Sequence, residues 1–176
     1  MSHDYNRYEA LYYEEVPFNA GRMVAYTMAT IALVMLVFWL SQISSNMISD
    51  EWLSPLFYLG MGLFFAVLAA LFFNMSNIVI AITEDRIVVS IGFFNFNTSL
   101  SNISGVTTDE YSSLKYGGWG IRMRLYKEGW VLAYTTFKYK RVVLALKEGK
   151  YKKFIFSITN PQQVIGVLSG LIEKGR

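Results

Sequence analysis

Two long apolar runs without charge limit what this chain can fold into. No Asp, Glu, Lys or Arg occurs from Met23 to Ser49, and 23–40 (MVAYTMATIALVMLVFWL) is nearly all apolar. Those eighteen residues, if helical, reach about 27 Å, close to the roughly 30 Å core of a bilayer. A second run, Pro55–Phe73 (PLFYLGMGLFFAVLAALFF), adds nineteen residues of the same kind. Neither has the polar face that a helix in a soluble bundle keeps toward water. The pair reads as two transmembrane helices.

The flanking charges orient the pair. Hydrophilic, acidic residues with no basic leader precede the first run, which fits an anchor better than a cleaved signal peptide. Segment 41–54 (SQISSNMISDEWLS) holds Asp50 and Glu51 but no Lys or Arg. Arg22 adjoins the first helix, and the later basic residues all follow the second. The positive-inside rule therefore predicts cytoplasmic N- and C-termini and a short external loop at 41–54. Trp39, Trp52 and Tyr58 fall where an outer aromatic belt would lie. Small residues recur every four positions, at Ala25 and Ala29 and at Gly62, Ala66 and Ala70. Such stripes allow close helix approach in lipid, within one hairpin or between copies of a homo-oligomer.

Charge divides the chain. Residues 1–75 carry two Lys/Arg against six Asp/Glu, net −4, whereas 76–176 carry fourteen against seven, net +7. With 53% hydrophobic residues and no Cys, disorder, a disulfide framework and a zinc-thiolate site are excluded. The single His is His3, so no Ser-His or Cys-His pair and no His-rich metal set can be assembled. The carboxylates Glu84-Asp85 and Asp109-Glu110 are sequence neighbours, and the latter pair would point to opposite faces of a strand. The expectation is a protein that is not an enzyme and needs no cofactor.

After Phe73 the pattern alternates. Ile78, Ile80 and Ile82, then Ile87, Val89 and Ile91 after a Glu84-Asp85 turn, read as strands. Further strands are predicted at 94–99, 103–109, 119–126, 130–137, 140–146 and 151–158. Lys127-Glu128-Gly129 and Lys147-Glu148-Gly149-Lys150 repeat one hairpin chemistry, with Gly where a positive φ is needed. Asn160-Pro161-Gln162-Gln163 then offers an N-cap, a Pro at the first helical position and a Gln three residues after the cap. Val164, Val167, Leu168, Leu171 and Ile172 form one apolar stripe of a closing helix. Gly166 and Gly170 cost helix propensity, and close packing against strands is the expected reason.

A seven-stranded antiparallel barrel or sandwich closed by one C-terminal helix resembles the pleckstrin-homology (PH) superfold. The run Tyr116-Gly117-Gly118-Trp119-Gly120-Ile121-Arg122, with Glu128-Gly129-Trp130 and a Leu-Lys-Glu-Gly-Lys hairpin after it, is similar to small bacterial membrane proteins with two N-terminal transmembrane helices and a PH-like domain. The resemblance implies a bacterial inner-membrane location and this architecture, more than an activity. It divides the chain into an acidic, Tyr-rich cytoplasmic segment (1–21), a transmembrane hairpin (22–73) and a cytoplasmic PH-like domain (74–176).

The candidate surface lies around the Gly-rich run. That run lacks the Gly-x-x-x-x-Gly-Lys-Ser/Thr pattern and enters a strand, so a nucleotide loop fails its context. Lys115 with Gly117, Gly118 and Gly120 can instead form an anion-binding nest of backbone N–H groups. Arg122 and Arg124 share one side of their strand, with Ile121, Met123 and Leu125 on the other as expected core. Arginine grips phosphate-bearing lipid or acidic partners bidentately. Nucleic acid is not expected, since acids intersperse the basic residues and no RNA-binding aromatic signature occurs. The expected role is a membrane-anchored adaptor that meets anionic lipid headgroups or a protein partner of undetermined identity. Alternatives are a ligand-sensing effector that oligomerises through its helices, or an accessory subunit of a larger membrane complex.

Overall fold

A computed structural model describes residues 10–46, 53–109 and 118–174. Lys115 and Gly117 of the candidate nest lie outside those residues, as does His3. The chain forms two compact units: one is Phe18–Ser76, and the other joins the residues up to Pro17 with those from Asn77 onward.

The first unit is a helical hairpin of α1 (Asn19–Asn46) and α2 (Leu53–Asn74). Both helices are long and apolar enough to cross a membrane, and little of either is buried. α1 continues through Ser41–Asn46, so the connection between the helices is shorter than the expected loop 41–54. The ends of the unit are tied together, because the Phe18 N–H donates to the Ser76 carbonyl at 2.7 Å. Gly21 lies against the Phe18 ring: a Cβ there would stand 2.7 Å from Phe18 Cδ1. Gly62 faces α1, where a Cβ would meet Met35 Cβ at 3.5 Å and the Ala32 carbonyl at 3.6 Å. Ala25 is buried, whereas Ala29, Ala66 and Ala70 are exposed. The small-residue stripe thus splits between contacts inside the hairpin and a surface outside it.

The second unit is mostly β, with two sheets and one C-terminal helix. A four-stranded antiparallel sheet has the order β1-β2-β3-β4, from β1 (Tyr12–Pro17), β2 (Asn77–Ile82), β3 (Arg86–Ile91) and β4 (Phe94–Ser99). A 3-10 turn (Leu100–Asn102) leads to β5 (Ile103–Asp109), β6 (Gly120–Tyr126), β7 (Gly129–Thr135), β8 (Lys140–Leu146) and β9 (Tyr151–Ile158). These five form the second sheet, ordered β5-β8-β9-β7-β6, in which β7 and β9 run parallel. The described residues therefore hold nine strands in two sheets, against the seven-stranded barrel expected.

Eight of the nine correspond to segments read as strands from the sequence, and the one that does not is β1. It pairs antiparallel with β2, Pro17 opposite Asn77, so the helical hairpin is inserted between two paired strands. Val16 enters the core, and Glu14 Oε1 accepts the Thr159 N–H at 3.0 Å, just past β9. Part of the acidic N-terminal segment thus belongs to the β unit. Its short length and its doublets, Tyr12-Tyr13 and Glu14-Glu15, hid it, since they show no alternation.

The interior is aliphatic in the first sheet and aromatic in the second. Ile78, Ile80, Ile82, Ile87 and Ile91 are fully buried, as are Phe154 and Phe156. The sheets meet where Phe96 stacks on Phe154, ring centroids 3.8 Å apart, with Tyr134 edge-on to Phe154 at 5.3 Å. Burial pushes the Tyr134 hydroxyl up to about 12, with Tyr151 adding to the shift, so it stays protonated. Helix α3 (Pro161–Lys174) packs on β5, β8 and the 3-10 turn through buried Val164 and Leu168. Gly166 and Gly170 are not close-packed: both are exposed, with no atom within 4 Å of a Cβ position.

Asn102 joins the 3-10 turn to the Lys147–Lys150 hairpin. Its side chain donates to Thr98 Oγ1 at 3.1 Å and the Glu148 carbonyl at 3.2 Å, and accepts the Glu148 N–H at 2.9 Å.

Candidate functional site

Strand β6 carries the two predicted arginines at the edge of the second sheet. Among the described residues it pairs only with β7, Arg122 opposite Ala133 and Arg124 opposite Val131. Both arginines are exposed and share a side, as alternation requires. The Arg124 guanidinium carbon lies 5.4 Å from the centre of the Tyr126 ring, within cation–π range.

The opposite side of β6 is not core. Met123 and Leu125 are 56% and 61% exposed, and Trp130, opposite Leu125, is 40% exposed. Alternation puts these residues opposite the arginines, but on an edge strand Met123 and Leu125 stay exposed among the described residues. The packed residues of that side are Leu132, Tyr134, Phe154 and Phe156, on more central strands.

The Gly-rich run opens β6. Gly118 has φ +102° and Gly120 φ +88°, a region that a side chain disfavours. The Gly118 carbonyl accepts from Thr135 Oγ1 at 3.1 Å, and Gly120 pairs with Thr135, so this stretch is fixed to the start of the sheet. Among the described residues, no atom lies within 4 Å of a Cβ position at either glycine. Trp119 leans on Phe137, ring centroids 5.7 Å apart.

The arginine-bearing side of the sheet also holds a second apolar cluster. Val131, Ala133 and Ile155 are buried there, with Tyr126 and Val143 packed against them. Beside this cluster is a cavity of about 650 Å³. Val131, Val143, Ala145 and Ile155 contribute aliphatic lining, with Thr107 and Asp109 from β5 and Lys127, Glu128 and Lys152 from the other elements. Such a volume lies in the range of small-molecule sites.

The polar groups of this cavity divide by place. Asp109 Oδ2 stands 2.9 Å from Arg141 Nε, and the Asp109 side chain is only 1% exposed. A buried carboxylate needs such a partner, because an unpaired charge there costs several kcal/mol. Around the β6–β7 turn, Lys153 Nζ donates to Glu128 Oε2 at 2.5 Å and holds that carboxyl below its usual range. Gly129 in the same turn has φ +126°, and a Cβ would stand 2.7 Å from Lys152 Cγ. Only glycine lets the Lys152 stem lie so close.

The sequence marks Lys127, Glu128 and Gly129 only as a hairpin turn and Asp109 only as a neighbour of Glu110, and no motif marks the aliphatic lining. The signal that could have found it is the unbroken apolar run in β8 and β9, Val142-Val143-Leu144 and Phe154-Ile155-Phe156. A strand apolar on both sides has something to cover on each. Among the described residues no three His, Cys, Asp or Glu side chains converge as a metal site would require. Compared with known family models, characterised proteins and solved structures, the chain matches none of them.

Proposed function

We propose that this protein is a membrane-anchored adaptor, with a PH-like β domain displayed at the cytoplasmic face of a bacterial inner membrane for contact with anionic lipid headgroups. The observation that carries the reading is the pairing of two membrane-length helices with an exposed basic strand, Arg122 and Arg124 on one side. Basic Lys147, Lys150 and Lys152 are exposed as well. The connections favour display at a surface: one residue joins β1 to α1, and two join α2 to β2. At about 3.5 Å per residue, neither is a free linker. Near an anionic leaflet each Lys or Arg contributes about 1 kcal/mol.

The test uses the β unit alone, with 18–76 replaced by an Asn-Gly turn. Pro17 and Asn77 are opposite each other in the ladder, so a two-residue turn closes them. This protein should bind vesicles containing phosphatidylglycerol more tightly than phosphatidylcholine vesicles, with affinity falling as salt rises. Arg122→Glu/Arg124→Glu should weaken binding at least about tenfold while the protein stays folded. A folded double variant that binds like the parent would remove these arginines from the proposal.

A further inference from the structure

We propose that the cavity on the arginine-bearing side of the second sheet binds a single-chain anionic amphiphile, its chain on the aliphatic lining and its head at the β6–β7 turn. The chemistry is set by what lines the space. Val131, Val143, Ala145 and Ile155 give it an aliphatic wall beside Thr107, Thr108 and Tyr126, and that wall favours a hydrocarbon over a sugar or a nucleobase. The volume of about 650 Å³ admits a ligand larger than a solvent cluster.

Charge orients the occupant. On the β5 side, Asp109 is balanced by Arg141, so that part of the cavity favours neither sign. At the turn, Glu128 is engaged by Lys153, and Lys127 and Lys152 remain as two exposed cations. The Lys152 stem lies against Gly129, and both residues line the cavity. An apolar body ending in a carboxylate or a phosphate monoester satisfies both regions; a cation or a neutral alcohol satisfies only one. This site is separate from the Arg122 surface, since Arg122 does not line the cavity. Its occupant is a single molecule, where the proposed adaptor surface meets a leaflet.

The full chain in lipid nanodiscs can be photolabelled with palmitate carrying a mid-chain diazirine, and the labelled peptides mapped. Label should appear on β7–β9 and be competed by unlabelled palmitate. Ala145→Phe, which fills the cavity, should abolish that label. Lys127→Glu/Lys152→Glu, at exposed positions that leave the fold intact, should reduce it about tenfold. The corresponding diazirine alcohol should not label β7–β9, and a diazirine lysophosphatidate compared with palmitate identifies the preferred head. Arg122→Glu should leave the cavity label unchanged, so failure of the adaptor surface is read separately. Label confined to 18–76, equal labelling by the alcohol, or labelling insensitive to the lysine reversals would overturn the proposal.

Discussion

Leu33 and Leu63 in the helical hairpin are 61% and 60% exposed, whereas Leu144 and Leu168 in the β unit are fully buried. The same residue type is turned outward in one unit and inward in the other. In water the outward arrangement would expose apolar surface along both helices, far beyond the few hundred Å² that a soluble monomer tolerates. The contrast teaches that the two units are built for different solvents. In the hairpin, the helices meet at the small Gly62 and at the stack of Phe38 on Tyr58, ring centroids 5.7 Å apart. In the β unit contact rests on large side chains meeting across sheets, Phe96 on Phe154 above all.

The largest expected effect is the loss of β1 from the β unit. A chain beginning at residue 75 loses β1 and leaves the β2 edge open, with Val16 gone from the core. It should aggregate, since an unpaired edge beside a hydrophobic core invites intermolecular pairing. The unit closed by Asn-Gly between Pro17 and Asn77 should be soluble and monomeric by size-exclusion chromatography. Equal behaviour of the two would mean that β1 is dispensable.

A single side chain sharpens the comparison next. Phe154→Ala in the closed β unit should cost about 3–5 kcal/mol in urea unfolding, because Phe154 touches Phe96, Tyr134 and Phe156. Leu63→Ala in the hairpin removes an outward side chain, and should change the stability of the full chain in bilayers by less than about 1 kcal/mol. Comparable losses would contradict the opposite orientations.

Within the hairpin, Gly62→Leu should weaken helix–helix packing by about 1–3 kcal/mol, measured by unfolding in mixed detergent micelles. Ala66→Leu should leave that packing nearly unchanged and lower the yield of crosslinked dimer instead. A dimer indifferent to Ala66→Leu would confine the small-residue stripe to the intrachain contact.

The smallest effect is electrostatic. In the β2–β3 turn, hydrogen bonds from Arg86 and Thr83 hold the Asp85 carboxyl down at about 2. A folded value below the unfolded one gives stability that is present above the unfolded pKa and lost as pH falls through about 2. Arg86→Ala should move the Asp85 titration, followed by NMR, back toward the ordinary carboxylate range. An unmoved titration would assign the shift to Thr83.

Much of this molecule was legible from periodicity. The strands at 94–99, 103–109 and 151–158 agree with β4, β5 and β9, because each is bounded by a turn or a change in pattern. The shared side of Arg122 and Arg124 was legible for the same reason, since alternation is local. Pairing is not local. That β6 is an edge strand, with Met123 and Leu125 uncovered, depends on which strands meet. The cavity depends on register between β5, β7, β8 and β9, and nothing in Thr107 or Ala145 alone announces it. β1 escaped because its partner lies beyond both helices.

That separation bears on the order of assembly. β1 leaves the ribosome before β2, which follows only once 18–76 have been made. Closing an open loop of that length would cost entropy that grows with the logarithm of its length. Here the Phe18–Ser76 hydrogen bond and the paired helices hold the two chain ends together, so the gap left for β1 and β2 to close is short. The helical hairpin thereby stands where the turn of a β-hairpin would, so separating α1 from α2 lengthens the loop that β1 and β2 must close.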